Sequence, residues 1–365
     1  MIEILLFVLT VLYTVQFTAL LFGVRHPPKT PLSNDTPGVS VLVAARNEEA
    51  SIGDCIQSLL DNDYPAHLTE IILINDSSTD KTGDVMSRYA REHKNIIYVS
   101  VEVESPGLRG KANALAKGIK KATGAIYLFT DADCTVPSGW IRKQVSYFDA
   151  GTGIVGGFTR LRSRNWFTGM QSLDWFFLYT VAAALTGLQK PVTAVGNNLC
   201  VRKEAYDDTG GYEKLPFSVT EDYILVNAIK KTGKWKIRFP MDPGTLIQSN
   251  PCPDMKSLYR QKHRWASGGG DMEPAAFIFF APIFVLYALI VLFPITGFLP
   301  ALTAFLVKTG VDCIVLYQPL KKFKAAGLYR YIFHFEILHI IYVLLLPFQI
   351  LLSQKVIWKD RRYDT

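Results

Sequence analysis

The chain opens on an unbroken apolar run. Between Ile2 and Val24 the only charge is Glu3, and Arg25 ends the run. Wound as one helix, such a stretch crosses the ~30 Å hydrocarbon core of a bilayer. It lacks the basic start and small-residue cleavage site of a secretory signal, so residues 1–24 are expected to be a retained anchor. Two further apolar blocks occupy the other end, Ala275–Tyr317 and Tyr331–Ser353. The first is long enough for two spans, with Pro294 and Pro300 marking the turn. His334, Glu336 and His339 interrupt the last block and Pro347 follows. That pattern predicts a re-entrant or interfacial segment whose polar side chains are partly exposed near headgroups.

Between the ends the pattern changes period. Residues 25–37 are rich in Pro, Ser, Asn and Asp and read as a linker. Beyond them, a folded domain is expected over residues 38–272. Val39–Ala45, Glu70–Ile74, Ile96–Val101 and Ala125–Thr130 read as strands. Glu49–Leu60, Asp80–Glu92 and Lys111–Ala122 read as helices, the first with Ile52, Ile56 and Leu59 on one face. Alternation of this kind predicts an α/β fold with a mostly parallel sheet covered on both faces. Ligands of such sheets bind beyond the carboxyl ends of the strands. Three strands end there in polar clusters, Arg46-Asn47-Glu48, Asn75-Asp76-Ser77 and Asp131-Ala132-Asp133. Trp175–Leu188, preceded by Gln171 and Asp174, is short for a span and predicts a buried or interfacial helix. Membrane segments are expected over 273–353 and a basic tail over 354–365.

The formal charge of +7 would suit a nucleic-acid partner were it gathered on the folded domain. Much of it instead flanks the apolar blocks: Arg25 and Lys29, Lys321, Lys322 and Lys324, and Lys355, Lys359, Arg361 and Arg362. Basic flanks favour anionic lipid headgroups and the cytoplasmic side of a membrane. No nucleic-acid partner is expected. The five cysteines are scattered and lack metal-ligand spacing, which suits a reducing compartment.

Asp131 and Asp133 stand two apart at a strand end, so both carboxylates can share one face. With no Cys or His in the pattern, they suit Mg2+ or Mn2+ holding a diphosphate; the plain alternative is a solvated acidic turn. Asp76 is placed to accept from a base or ribose, and Asp80 to cap the following helix. Lys111, after Gly110 at a helix start, suits a phosphate, although capping and solvation account for it equally. Glu221 and Asp222 sit at another helix start. Asp222 is placed either as a general base or as a helix cap. Gln261, Arg264 and Trp265 precede the membrane block, where the guanidinium fork suits phosphate and the indole a sugar or apolar tail. An amphipathic interfacial helix is the alternative.

Taken in order, Asp76, the Asp131-x-Asp133 pair, Thr220-Glu221-Asp222 and Gln261-x-x-Arg264-Trp265 resemble the motifs of the membrane-bound family-two glycosyltransferases of GT-A fold. The resemblance covers about Gly38–Gly270. It implies that Arg46, Glu48 and Asp76 contact uridine, and that Asp131 sits near the ribose and diphosphate. Asp133 would ligate the metal, and Asp222 would be the catalytic base. Gln261, Arg264 and Trp265 would close around diphosphate and acceptor, with Glu221 on the acceptor side. Gly196, Asn197 and Asn198 match a segment lining the acceptor pocket, and the VIWKDRRY ending resembles the tail of ceramide-type enzymes. The implied activity is inverting transfer of a hexose or hexosamine from a UDP-sugar to a membrane lipid. A small processive polysaccharide synthase is the alternative, and a non-catalytic sensor a more distant one. The resemblance also implies a multi-pass protein with a cytoplasmic catalytic domain. Three C-terminal crossings would then export the basic tail, against the positive-inside trend.

Overall fold

The computed structural model describes residues 1–25, 35–191, 196–268, 274–352, 355–359 and 361–364, so most of the expected linker lies outside the described residues. The chain forms two compact units from interleaved stretches. One comprises Pro28–Arg160 and Lys190–Asn250; the other comprises Met1–Pro27, Leu161–Gln189 and Pro251–Thr365.

The first unit is built on β1 (Val39–Ala45), β2 (Thr69–Asp76), β3 (Ile96–Val101), β4 (Ile126–Thr130), β5 (Thr152–Gly156), β7 (Asn198–Arg202) and β8 (Lys236–Arg238). A short ribbon pairs β6 (Thr159–Leu161) with β9 (Ile247–Ser249). The main sheet has seven strands in the order β3-β2-β1-β4-β7-β5-β8. Its first four run parallel, and β7 pairs antiparallel with both β4 and β5.

Alternation explains why both faces are dry. Val39, Val41 and Val43 join Ile71 and Leu73 on one face, under Ile52, Ile56 and Leu59 of the helix Ile52–Leu60. Leu42, Ile72 and Ile74 point the other way, onto Leu115 and Ile119 of the helix Gly110–Ile119 and Leu225 and Ile229 of the helix Glu221–Lys231. Helices on both faces leave the strands apolar on both sides, as parallel sheets require.

The helix expected from Glu49 begins later, at Ile52, because Glu49 ties two loops together. Its carboxylate accepts from the Lys81 N–H at 2.9 Å, and its own N–H donates to Asp80 at 3.1 Å. The next helix starts at Thr82 rather than Asp80, with Lys81 at its cap position, and Asp80, expected to cap it, accepts instead from the Thr82 N–H at 3.0 Å from one residue further back.

The second unit is helical apart from an antiparallel pair of strands, β10 (Lys355–Trp358) and β11 (Arg361–Asp364), in the expected basic tail. Its first helix, Ile2–Arg25, buries Leu6, Leu9, Tyr13, Phe17, Leu20 and Val24, a stripe at three- and four-residue spacing. It packs on the helices Trp166–Gly187, Pro274–Val291 and Phe298–Lys322. At Gly23 it meets the helix Trp166–Gly187 so closely that a Cβ would lie 2.0 Å from the Ala184 carbonyl oxygen. Small residues at such crossings are a habit of membrane helices.

The helix Trp166–Gly187 corrects the short segment expected from Trp175. Asn165 caps it with a full capping box, accepting from the Thr168 N–H at 2.9 Å, so Gln171 and Asp174 lie inside the helix. The long apolar block does break between Pro294 and Pro300. A short helix, Phe293–Thr296, ends at Gly297 with φ +87°.

Among the described residues, three helices are long and apolar enough to cross a membrane: Ile2–Val24, Phe298–Lys322 and Ala326–Gln349. The last block, expected to be re-entrant or interfacial, is one continuous helix over Ile332–Leu352. Its polar trio also departs from expectation. His334 is exposed and stacks on Trp166, whereas Glu336 is fully buried against Lys308 and His339 is buried among aromatic rings. Lys308 also pairs with Asp312 at 2.7 Å, and Asp312 accepts from Tyr13 Oη at 2.5 Å.

Candidate active site

The polar residues of the first unit collect where β1, β2 and β4 end. Arg46 donates to the carbonyls of Asp76 and Ser77 at 2.8 and 2.7 Å, so it links the first two strand ends. The following residues, Asn47 and Ser77, have φ of +53° and +52°. Residues other than glycine avoid this left-handed region unless their surroundings hold them there. Here the hold is visible. Asn47 Oδ1 accepts from the Thr79 N–H at 2.9 Å, and Ser77 Oγ donates to the Val101 carbonyl at 2.6 Å. Asp76 is buried, and Glu48 beside it is half-buried, with its N–H on Thr82 Oγ1 at 2.7 Å. These loops are pre-shaped before any ligand arrives.

Lys111 is the hub of the next group. Its ammonium lies 2.6 Å from Asp131 and 3.0 Å from Glu221, with only 17% of its side chain exposed. The solvated reading of Lys111 is thereby overturned, and its charge is committed to two carboxylates. Asp131 and Glu221 hold it protonated despite burial, pushing its pKa up.

Asp222 is the second residue of the helix Glu221–Lys231. Its Oδ2 accepts from the Gly196 N–H at 2.6 Å and its Oδ1 from the Tyr223 N–H at 2.9 Å. A side chain at position 196 would sit against the carboxylate, since a Cβ there lies 3.0 Å from Asp222 Oδ2. Thr220, at the cap position, makes no side-chain cap bond, so Asp222 serves a first-turn N–H itself. Burial and the neighbouring Glu221 nevertheless push its carboxyl up to about 6, against the opposing pull of Lys111.

Asp133 is held by Ser249 Oγ at 2.8 Å, and burial with the adjacent Asp131 pushes its carboxyl above the usual range. Lys111 thus brings one positive charge to three carboxylates, Asp131, Glu221 and Asp222, and Asp133 adds a fourth carboxyl beside Asp131. Surplus negative charge on hard oxygen donors fits a divalent cation such as Mg2+ or Mn2+. Among the described residues, no three or more His, Cys, Asp or Glu side chains gather to hold a metal by themselves. Most ligands of such a cation would therefore come from a phosphate and water.

The segment matched to an acceptor pocket divides. Gly196 faces Asp222, as above. Asn197 accepts from Thr159 Oγ1 at 3.1 Å. Asn198 is fully buried and spends its whole amide on the core. It accepts from Trp140 and Gln144 at 3.0 and 2.8 Å and donates to the Phe158 and Thr245 carbonyls at 2.8 and 2.9 Å. No capacity is left on that side chain for an acceptor. Sequence reasoning missed Ser249, because its tie to Asp133 spans 116 positions and belongs to no motif.

Gln261, Arg264 and Trp265 lie in the second unit, on the helix Met255–Gly268. Trp265 packs against Trp175 with ring centroids 5.7 Å apart, and Arg264 is half-buried. Among the described residues, nothing donates to the buried Gln261 Oε1.

Comparison with known proteins identifies the family and the fold. The family model described as "Glycosyltransferase like family 2" matches residues 37–268. A beta-monoglucosyldiacylglycerol synthase of Nostoc sp. is 29% identical over 253 residues, covering 67% of this chain and 51% of the relative. A poly-beta-1,6-N-acetyl-D-glucosamine synthase of Staphylococcus epidermidis is 28% identical over 239 residues, covering 64% of this chain and 55% of the relative. The chain thus spans about half the length of the curated relatives it matches. Among solved structures, a mannosyltransferase of Pyrobaculum calidifontis in complex with GDP-Man and Mn2+ superposes with a TM-score of 0.62 at 20% identity. The match covers 92% of this chain and 99% of that one, and the likeness is one of fold. The chain belongs to the family-two glycosyltransferases, and its sheet-bearing unit is a GT-A domain.

Proposed function

We propose that the chain is a membrane-bound, inverting glycosyltransferase that moves a hexose or hexosamine from a UDP-sugar to a hydroxyl of a membrane lipid. The observation that carries this reading is Asp222, a half-buried carboxylate held by the Gly196 and Tyr223 N–H groups, whose pKa is raised to about 6 beside the Glu221–Lys111–Asp131 chain. A general base works best when its pKa lies near the operating pH. Asp222 takes the proton of the acceptor hydroxyl as that oxygen attacks the anomeric carbon, opposite the departing UDP. A single displacement of this kind inverts the configuration. Arg46, Glu48 and Asp76 bind the uridine at the ends of β1 and β2. Asp133, with Asp131, would hold Mg2+ or Mn2+, which when bound neutralises charge on the diphosphate. The roles of Gln261 and Arg264 toward the diphosphate, and of Trp265 toward the acceptor, belong to the same proposal. A multi-pass topology with the GT-A unit on the cytoplasmic side, and a basic tail that meets anionic headgroups, belong to the same proposal, which the three long apolar helices support.

The test is incubation of membranes carrying the protein with labelled UDP-sugars, with Mg2+ or Mn2+ and with a chelator. Label is expected in solvent-extractable lipid and is lost on chelation. Label in an inextractable polymer would favour the polysaccharide-synthase reading, to which the 28% identical relative lends weight. Absence of transfer from every UDP-sugar overturns both.

A pH dependence follows. Asp222 must be ionised to accept a proton, so the rate rises as pH passes through about 6. Lys111 stabilises the ionised form, so Lys111→Met moves the acid limb of the pH–rate profile to higher pH. A limb that stays in place would separate Lys111 from the base.

A further inference from the structure

The helix Met255–Gly268 is mounted on the second unit by charges buried beneath it. Lys262 is 5% exposed, yet it sits one residue after Gln261 and two before Arg264. Its ammonium forms a short ion pair with Asp174, whose side chain is 1% exposed, in the helix Trp166–Gly187. Tyr342 of the last membrane helix donates to the other Asp174 oxygen at 2.8 Å. The ammonium also lies over the rings of Trp265 and Tyr342, at 4.6 and 4.5 Å from their centroids. On the same helix face as Asp174, Gln171 accepts from the Cys252 N–H at 2.9 Å and donates to the Cys252 carbonyl at 3.1 Å. One face of Trp166–Gly187 therefore holds both the approach to the motif helix and its body.

Burying a lysine and an aspartate is costly, and a hydrophobic pair of equal size would serve stability as well or better. What the ion pair adds is direction. Leu258, Lys262 and Trp265 are spaced i, i+4, i+7 and share one face. At 3.6 residues per turn, Gln261 and Arg264 share another face, about 100° round the helix. Fixing Lys262 fixes the rotation of the helix, and with it the direction in which Gln261 and Arg264 project.

We propose that Asp174, Lys262 and Tyr342 are positioning residues, which set the orientation of Gln261 and Arg264 without touching substrate. This inference rests on the proposed transferase reading for its kinetic readout alone. The experiment uses the full chain in detergent with Asp174→Asn, Lys262→Met, Lys262→Arg and, as the mildest change, Tyr342→Phe. Hydrogen exchange over residues 255–268 is followed beside kcat, donor KM and thermal midpoint. Faster exchange there is expected, with exchange in β1 unchanged. The kcat should fall by ~10²-fold in Asp174→Asn, the scale on which small misplacements act, with donor KM little changed. Lys262→Arg, which keeps the charge, should recover more activity than Lys262→Met. Should Asp174→Asn fail to fold, Tyr342→Phe carries the same test with a smaller loss of kcat. Normal kcat per folded molecule with only a lowered midpoint, or unchanged exchange over 255–268, overturns the proposal. If the parent transfers no sugar, the function reading fails, and the exchange measurement still decides the mount.

Discussion

Replacing Asp222 by Asn is expected to lower the transfer rate by ~10²–10⁴-fold, the usual contribution of a general base. The mutation also separates the two readings of this residue. As a first-turn residue, Asp222 accepts from the Tyr223 N–H, a bond that an asparagine side-chain oxygen can also accept. As a base, it needs a free carboxylate. Asn offers one acceptor oxygen where Asp offers two, so the bond from Gly196 or that from Tyr223 is weakened. Relief of a half-buried charge beside Glu221 offsets that loss, because the repulsion that helps raise the Asp222 pKa disappears with the charge. The thermal midpoint and UDP-sugar affinity should therefore stay close to those of the parent while turnover collapses. The check is turnover at saturating donor, beside donor affinity and thermal midpoint in one detergent preparation. An unstable protein that remains active per folded molecule would make Asp222 a cap and place the base elsewhere.

The largest expected loss of stability comes from Lys308→Met. Lys308 is fully buried between Asp312 and Glu336, and Asp312 also holds the Tyr13 hydroxyl of the first helix. Removing one partner of a buried ion pair costs about 3–5 kcal/mol, because the remaining charge must be neutralised or left unpaired. Whole domains are stable by only ~5–15 kcal/mol, so this single change consumes a large share. The triple variant Lys308→Met, Asp312→Leu, Glu336→Gln removes all three charges and should recover much of the loss. The measurement is thermal unfolding of both variants in the same detergent. A single mutant that melts with the parent would mean that water reaches the cluster.

These two residues also mark what can be read from the chain. Alternation in Val39–Ala45 displays a strand buried on both sides, and Asp131 and Asp133 announce themselves because strand geometry brings i and i+2 together. Asp222 sits at a helix start that the local pattern places. Lys308 and Asp312, by contrast, lie within a block that reads as apolar, and only their spacing of four hints that they pair. The partner of Lys308 on the last helix is 28 positions away, and that of Lys262 is 88 positions away. Such pairs leave no periodic trace, because each is created by the packing of whole helices. The same holds for Asn198, whose place in an apparent acceptor motif hides a core role that only its four partners reveal. The start at Trp166 is hidden for another reason: the uninterrupted apolar run begins only at Trp175, whereas the capping box at Asn165 and Thr168 starts the helix nine residues earlier.

The stripe of Leu6, Tyr13, Phe17 and Val24 bears on the design of a water-soluble version of this protein. Excising the first helix is the customary route when such a segment is only a tether. Here that cut would uncover Phe177 and Tyr287, which lie against Phe17 and Tyr13, and would take the hydroxyl partner from Asp312. At the Gly23 crossing, main chain lies against main chain, so the vacated groove exposes carbonyls as well as rings. A detached catalytic fragment would thus carry a wound rather than a stump, and solubilising it calls for redesigning the second unit or keeping the first helix.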